Sequence, residues 1–153
     1  MTEYKHYALS VLKNRGFRIT KPRQLVVELL DQTTQALSAY EIKEKLDSSG
    51  EKVDTVSIYR ILECLEDNHL IHRLLSSGKV LRCQLEHEST CHLDQQDHCH
   101  HLLICEKCLN IQEVHCPGAE DLVARVEKHA SFVVKRHNME FLGLCGACSH
   151  SVV

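Results

Sequence analysis

Apolar residues recur at helical spacing through the first half of the chain and give way to short strand-like runs in the second. Tyr4 to Asn14 predicts a first helix, which Gly16 ends. Thr20, Lys21 and Pro22 read as an N-cap with a proline just inside the next helix, whose Leu25, Val26, Leu29 and Leu30 fall on one face. Ser38 caps a third helix carrying Ile42 and Leu46, and Glu41 stands where a capping box needs it. Asp54 caps a fourth, from about Thr55 to Asp67, and Leu70 to Leu74 with Lys79 to Gln84 predicts a hairpin around Ser76, Ser77 and Gly78. Helices followed by a two-stranded hairpin form a winged helix-turn-helix pattern.

The second half predicts a strand (Ile111 to Val114), a helix (about Ala119 to Ala130) and two strands (Phe132 to Lys135 and Asn138 to Leu142). The fold class is therefore α+β, a winged helix-turn-helix domain followed by a small α/β domain. The expected boundaries are residues 1–84 for the first domain, a hinge at about 83–92, and residues 93–153 for the second. A module of that size buries only about 60% of its unfolded surface, so a metal or a partner chain is expected to complete it. No apolar run approaches the ~18 residues of a membrane helix, and no apolar leader precedes the first helix. The expected location is the cytoplasm, where thiols stay reduced.

The fourth helix separates into two faces. Ile58, Ile61, Leu62 and Leu65 form the buried stripe, while Val56, Arg60 and Glu63 point away and Ser57 and Tyr59 flank it. An arginine, an aromatic hydroxyl and small polar residues near the N-terminal end suit the major groove. Between Lys13 and Arg23 there are also five basic residues (Lys13, Arg15, Arg18, Lys21, Arg23) and no acid, a footprint for backbone phosphates. The candidate DNA-binding residues are Arg18, Arg23, Ser57, Tyr59 and Arg60. Charge divides in the same place as the fold: residues 1–84 hold 13 Lys plus Arg against 11 Asp plus Glu, and residues 85–153 hold 5 against 10. The two halves are thus suited to different partners.

Cysteine and histidine change the picture most. The chain has 9 cysteines and 12 histidines, and residues 85–153 hold seven of the former and nine of the latter. An odd cysteine count argues against a purely disulfide framework. Cys105-Glu106-Lys107-Cys108 and Cys145-Gly146-Ala147-Cys148 each present two thiolates at chelating spacing, and together they complete a closed four-sulfur zinc site of the structural kind. Such a site supplies folding free energy to a small module. Before it lies a denser run: Cys83, His87, Cys91, His92, Asp94, Asp97, His98, Cys99, His100 and His101. Alternation along a strand divides His98 with His100 from Cys99 with His101, so the run can feed two different sites. Further candidate ligands are Glu113, His115, Glu120 and His137. A site using Cys83 together with the 98–101 segment would lie at the hinge, where occupancy could select a DNA-competent state. A thiolate among its ligands favours zinc over iron(II), magnesium or manganese. An enzyme would need an open coordination position and a general base in a cleft, so none is expected.

With these residues in view, the chain resembles the ferric uptake regulator family, and within it the zinc branch. The segments that carry the likeness are Arg18-Ile19-Thr20-Lys21-Pro22-Arg23, Ser57-Ile58-Tyr59-Arg60, Ile104-Cys105-Glu106-Lys107-Cys108, and Arg136-His137-Asn138 through Gly143-Leu144-Cys145-Gly146-Ala147-Cys148. The resemblance implies a homodimer with a winged-helix domain, a hinge and a dimerisation domain, which represses zinc uptake genes by binding AT-rich double-stranded operator DNA when its regulatory metal is bound. It implies Tyr59 and Arg60 on the recognition helix and structural zinc on Cys105, Cys108, Cys145 and Cys148. It places regulatory zinc on His72, Cys83, His98 and Glu113, and a further site on Glu120 and His137 with ligands from Cys99, His100 and His101. The run before the first knuckle departs from the family pattern, leaving open whether His98 or His100 serves the hinge. An iron, manganese or nickel sensor of the same architecture is the alternative.

Overall fold

The computed structural model describes residues 3–84, 100–115, 118–135 and 137–150. Its chain divides into two compact units, Met1–Cys83 and Gln84–Val153. Among the described residues no helix is long and apolar enough to cross a membrane.

The first unit has four helices, α1 (Glu3–Asn14), α2 (Lys21–Asp31), α3 (Ala39–Ser48) and α4 (Thr55–Asp67), then a hairpin of β1 (Ile71–Arg73) and β2 (Val80–Arg82). The caps work largely as their chemistry demands. Glu41 donates its N–H to Ser38 Oγ (3.1 Å) while its carboxylate accepts the Ser38 N–H (2.7 Å), which completes the capping box of α3. The Asp54 carboxylate accepts the Ser57 N–H at 2.9 Å and opens α4. Thr20 differs: its hydroxyl makes no capping bond, and α2 starts on its backbone carbonyl with Pro22 in the first turn. Gly16, at φ 83°, supplies the left-handed turn that ends α1.

One face of every helix meets a common core in which Leu12, Val26, Val27, Leu30, Ile42, Ile58 and Leu65 are fully enclosed. Strands β1 and β2 pair antiparallel with His72 opposite Leu81, and Leu37 bridges to Val80 through two 2.8 Å backbone bonds, which adds a short third edge to the wing. Lys79 reaches from the wing to Glu41 at 2.8 Å and ties the hairpin to the start of α3.

The second unit holds β3 (His100–Cys105), β4 (Ile111–His115), α5 (Ala119–Ala130), β5 (Glu140–Gly143) and the short α6 (Gly146–Ser149). Strand β3 is central: β4 pairs with it antiparallel and β5 parallel, with Cys105 opposite Gly143. The segment from Phe132 to Lys135 is not a strand. Ser131 turns left-handed (φ 49°) at the end of α5, and Glu127 Oε1 accepts the Val134 N–H at 2.7 Å, so this backbone is bound to its own helix rather than to a neighbouring strand. The final strand begins at Glu140 rather than Asn138. Large apolar side chains remain exposed here, among them Leu122, Val126, Phe132, Val133 and Phe141.

Candidate metal and nucleic-acid sites

The two Cys-x2-Cys pairs meet because β5 runs beside β3. Register places Cys105, at the end of β3, opposite Gly143, and Gly143 in turn accepts the Glu106 N–H at 2.8 Å. Two residues on, the chain reaches Cys145, whose N–H donates to Cys105 Sγ at 3.3 Å. The first pair is shaped by a tight turn in which the Leu109 N–H bonds the Cys105 carbonyl (2.9 Å) and the Cys105 N–H bonds the Asn110 carbonyl (2.9 Å). Leu109 adopts φ 60° to close it. The four sulfur atoms of Cys105, Cys108, Cys145 and Cys148 all lie within 4.8 Å of one another, and Cys108 Sγ stands 3.7 Å from Cys145 Sγ.

That spacing suits a metal and no disulfide. A sulfur–sulfur bond is about 2.0 Å long, whereas the edge of a tetrahedron with ~2.3 Å metal–sulfur bonds is about 3.8 Å. The electrostatics agree. Backbone N–H groups, first that of Cys108 and then that of Cys145, draw the Cys105 thiol down to about 6. Cys148 is pushed up to about 12, first by its contact with the Cys145 thiol and then by burial. The Cys105 thiolate is favoured while the Cys108 and Cys148 thiols resist ionising beside it, so a divalent cation at the centre is what allows four thiolates together. The residues present therefore fit a closed structural metal site.

Other predicted ligands sort by where the structure places them. His72 on β1 and Cys83 immediately after β2 come together in the first unit, a ring nitrogen within 4.8 Å of the Cys83 sulfur. In the second unit Glu113 is buried on β4, and its Oε2 accepts the Gln84 N–H at 2.7 Å. The His101 and His137 rings approach with centroids 5.6 Å apart, and His137 Nε2 has no hydrogen-bond partner among the described residues. Glu120 lies in the first turn of α5 and is not gathered with that pair into a set of three ligand atoms among the described residues. His98 and Cys99 fall outside the described residues, and His100 is described only as the first backbone position of β3.

The DNA candidates divide as well. On α4 the residues Ile58, Ile61, Leu62 and Leu65 are buried, whereas Val56 and Tyr59 are more than half exposed and Arg60 is exposed on the opposite face. Ser57 is half-buried, and its hydroxyl donates to the Asp54 carboxylate. Three of the five bases between Lys13 and Arg23 are engaged within the fold. Arg15 donates to Asn68 Oδ1 at 2.8 Å, Lys21 pairs with Glu51 at 2.8 Å, and Arg23 donates to the Arg18 carbonyl while its guanidinium lies 5.7 Å from the Phe17 ring centre. Arg23 thus braces the turn that carries the exposed Arg18. Sequence reading missed Tyr4: its hydroxyl donates to the Leu70 carbonyl at 2.9 Å, a contact across 66 residues that no local pattern announces.

A sequence model of the ferric uptake regulator family matches residues 14–142. The zinc uptake regulation protein of Escherichia coli (strain K12) is 26% identical over 141 residues, covering 92% of this chain and 78% of that protein. The peroxide-responsive repressor PerR of Staphylococcus saprophyticus is 27% identical over 141 residues, 92% of this chain and 88% of that one. Among solved structures, holo XcZur superposes with a TM-score of 0.74 at 25% identity, covering 95% of this chain and 99% of that chain. A zinc uptake regulator complexed with zinc and DNA gives 0.81 at 24% identity, covering 99% and 98%, a likeness of fold.

Proposed function

Because the chain belongs to the ferric uptake regulator family, we propose that it is a zinc-responsive transcriptional repressor, a homodimer that binds AT-rich operator DNA when its regulatory zinc is bound and so controls zinc uptake genes. In this reading residues 1–84 are the DNA-binding domain, residues 93–153 the dimerisation domain, and the hinge falls at about 83–92. The observation that carries the choice of metal is the juxtaposition of His72 with Cys83. A thiolate beside an imidazole is a soft, mixed donor pair that favours zinc over the harder divalent ions. Glu113 and His98 complete the regulatory set, with His100 as the other candidate for the hinge position. The zinc-named relatives support this reading, while the peroxide-responsive and ferric relatives at similar identity mark the alternative, an iron, manganese or nickel sensor.

Tyr59 and Arg60 on the exposed face of α4 read the major groove, and Arg18 contacts the DNA from the turn that Arg23 braces. Ser57 and its partner Asp54 fix the end of α4 that enters the groove. The exposed Leu122, Val126, Phe132, Val133 and Phe141 are the side chains a second copy covers, since large apolar groups left in water suit an obligate partner. The four-cysteine site holds structural zinc. A further site takes His137 and Glu120 with His101, or with Cys99 or His100.

Zinc titration of the purified chain, following both metal content and anisotropy of labelled operator, tests the proposal. Cys83→Ser should leave the tightly held structural metal in place and raise the free zinc at which DNA is bound. An unchanged zinc midpoint and metal count would remove Cys83 from the sensor. Restoration of DNA binding by iron(II) or manganese(II), but not by zinc, would favour the alternative.

A further inference from the structure

We propose that Tyr4 is a positioning residue for the His72 and Cys83 ligand pair, which makes metal capture by the wing and docking of α1 one linked equilibrium. The inference rests on the reading of His72 and Cys83 as regulatory ligands. Its basis is a shared acceptor. The buried Leu70 carbonyl, at the start of the strand that carries His72, accepts the Cys83 N–H at 3.0 Å and the Tyr4 hydroxyl at 2.9 Å. Both lone pairs of that oxygen are therefore used, one by the ligand's own backbone and one by the first turn of α1.

The residue beside the ligand is held by the same ring. The Arg82 guanidinium carbon lies 5.5 Å from the Tyr4 ring centre, and Arg82 Nη1 lies 3.8 Å from Asp31 Oδ1 at the end of α2. Tyr4 thus bears on Leu70 through its hydroxyl and on Arg82 through its face, and neither contact leaves the first unit. Whatever sharpens the position of Cys83 for a metal must also tighten the seat of Tyr4, and the reverse follows by linkage. Helix α1 then leads through Gly16 and Phe17 to Arg18, where the Phe17 N–H bonds the Leu12 carbonyl at 2.9 Å. Occupancy of the wing ligands is in this way transmitted along α1 toward the DNA surface of the same unit.

The test uses the full chain with its structural zinc in place. Tyr4→Phe keeps the ring over Arg82 and removes only the hydroxyl. It should raise the zinc midpoint of the second, weaker equivalent by roughly two- to tenfold, the ratio one ordinary hydrogen bond is worth, with the structural equivalent unchanged. In the wild type, adding that second equivalent should slow amide exchange across residues 4–12, and Y4F should lose the slowing. A variant that melts earlier yet shows the wild-type zinc midpoint has lost a merely structural contact, and the proposal falls. If Y4F does not hold its structural zinc, the wild-type measurement decides alone, because exchange in α1 that ignores the second equivalent overturns the linkage. Cys83→Ser separates the two levels. If C83S binds the second equivalent with the wild-type midpoint, the ligand reading itself has failed; if C83S loses that site while Y4F behaves as wild type, only the role of Tyr4 has.

Discussion

Cys108 and Cys145 are 37 residues apart in the chain, and their sulfur atoms stand 3.7 Å apart in the fold. With Cys105 and Cys148 they make a closed cluster whose metal contributes folding free energy directly, of a size that reaches roughly 10 kcal/mol in small zinc modules at neutral pH. Cys105→Ser or Cys148→Ser should release that metal and unfold the second unit while α1 to α4 stay folded. Metal content together with amide exchange in each unit checks this. A C105S protein that kept its full metal and its protected β3 would refute the assignment.

Arg60 lies opposite the buried stripe of α4. Arg60→Ala should weaken operator binding and leave metal content and melting unchanged. If Arg60 reads a base, discrimination at one operator position falls by about 1 to 3 kcal/mol. If it meets a phosphate, all affinities fall together and the salt slope shrinks. Operator affinity measured at several salt concentrations distinguishes these outcomes, and equal affinity for both proteins would show that α4 is not the reading helix.

Glu41 carries two jobs, the capping box of α3 and the link to Lys79 on the wing. The Lys79 ammonium and, after it, the Ser38 N–H and hydroxyl hold its carboxyl down to about 2, below the ordinary ~4.3. The depressed value means that this stabilisation is present above the unfolded pKa and is lost as pH falls from about 4.3 toward about 2. Lys79→Ala should move the Glu41 midpoint upward, short of the ordinary value because Ser38 remains. Carboxyl NMR shifts followed against pH give the midpoint, and one unaffected by K79A would show that Lys79 is not the main cause.

Leu109 occupies a left-handed conformation at φ 60° with its side chain largely exposed. A non-glycine residue there costs about 1 kcal/mol. Leu109→Gly should relieve most of that, net of the added freedom of the unfolded chain, and slow metal loss to a competing chelator. Faster loss in L109G would mean that the leucine side chain supports the turn through contacts that outweigh its strain.

What the sequence made legible depended on range. The helices of the first unit were readable because their signals are local: Ser38 with Glu41, Asp54 before Thr55, and Gly16 after Asn14. The four-cysteine cluster was readable for the same reason, since each pair is a four-residue chelate and only one partner pair was on offer. The parallel seating of β5 on β3 was not, because periodicity reports which face is apolar and not which strand lies alongside. Phe132 to Lys135, a short run rich in β-branched and aromatic residues, reads as a strand, but Glu127 takes the Val134 N–H. Tyr4 looked like an ordinary apolar position on α1, since nothing near it in the chain names Leu70 as its acceptor. His98 and Cys99, on which the choice between ligand sets turned, lie outside the described residues.

The parallel pairing of β5 with β3 also orders events in time. A parallel neighbour cannot be reached by a hairpin, so the chain must pass through β4 and α5 before residues 140–148 return to Cys105. A nascent chain that has emerged only as far as Cys108 offers the ion two sulfurs and no closed cage. Tight capture therefore waits for synthesis of the last strand and the cysteine pair after it, and a chain that ends before Cys145 carries only half of the cluster.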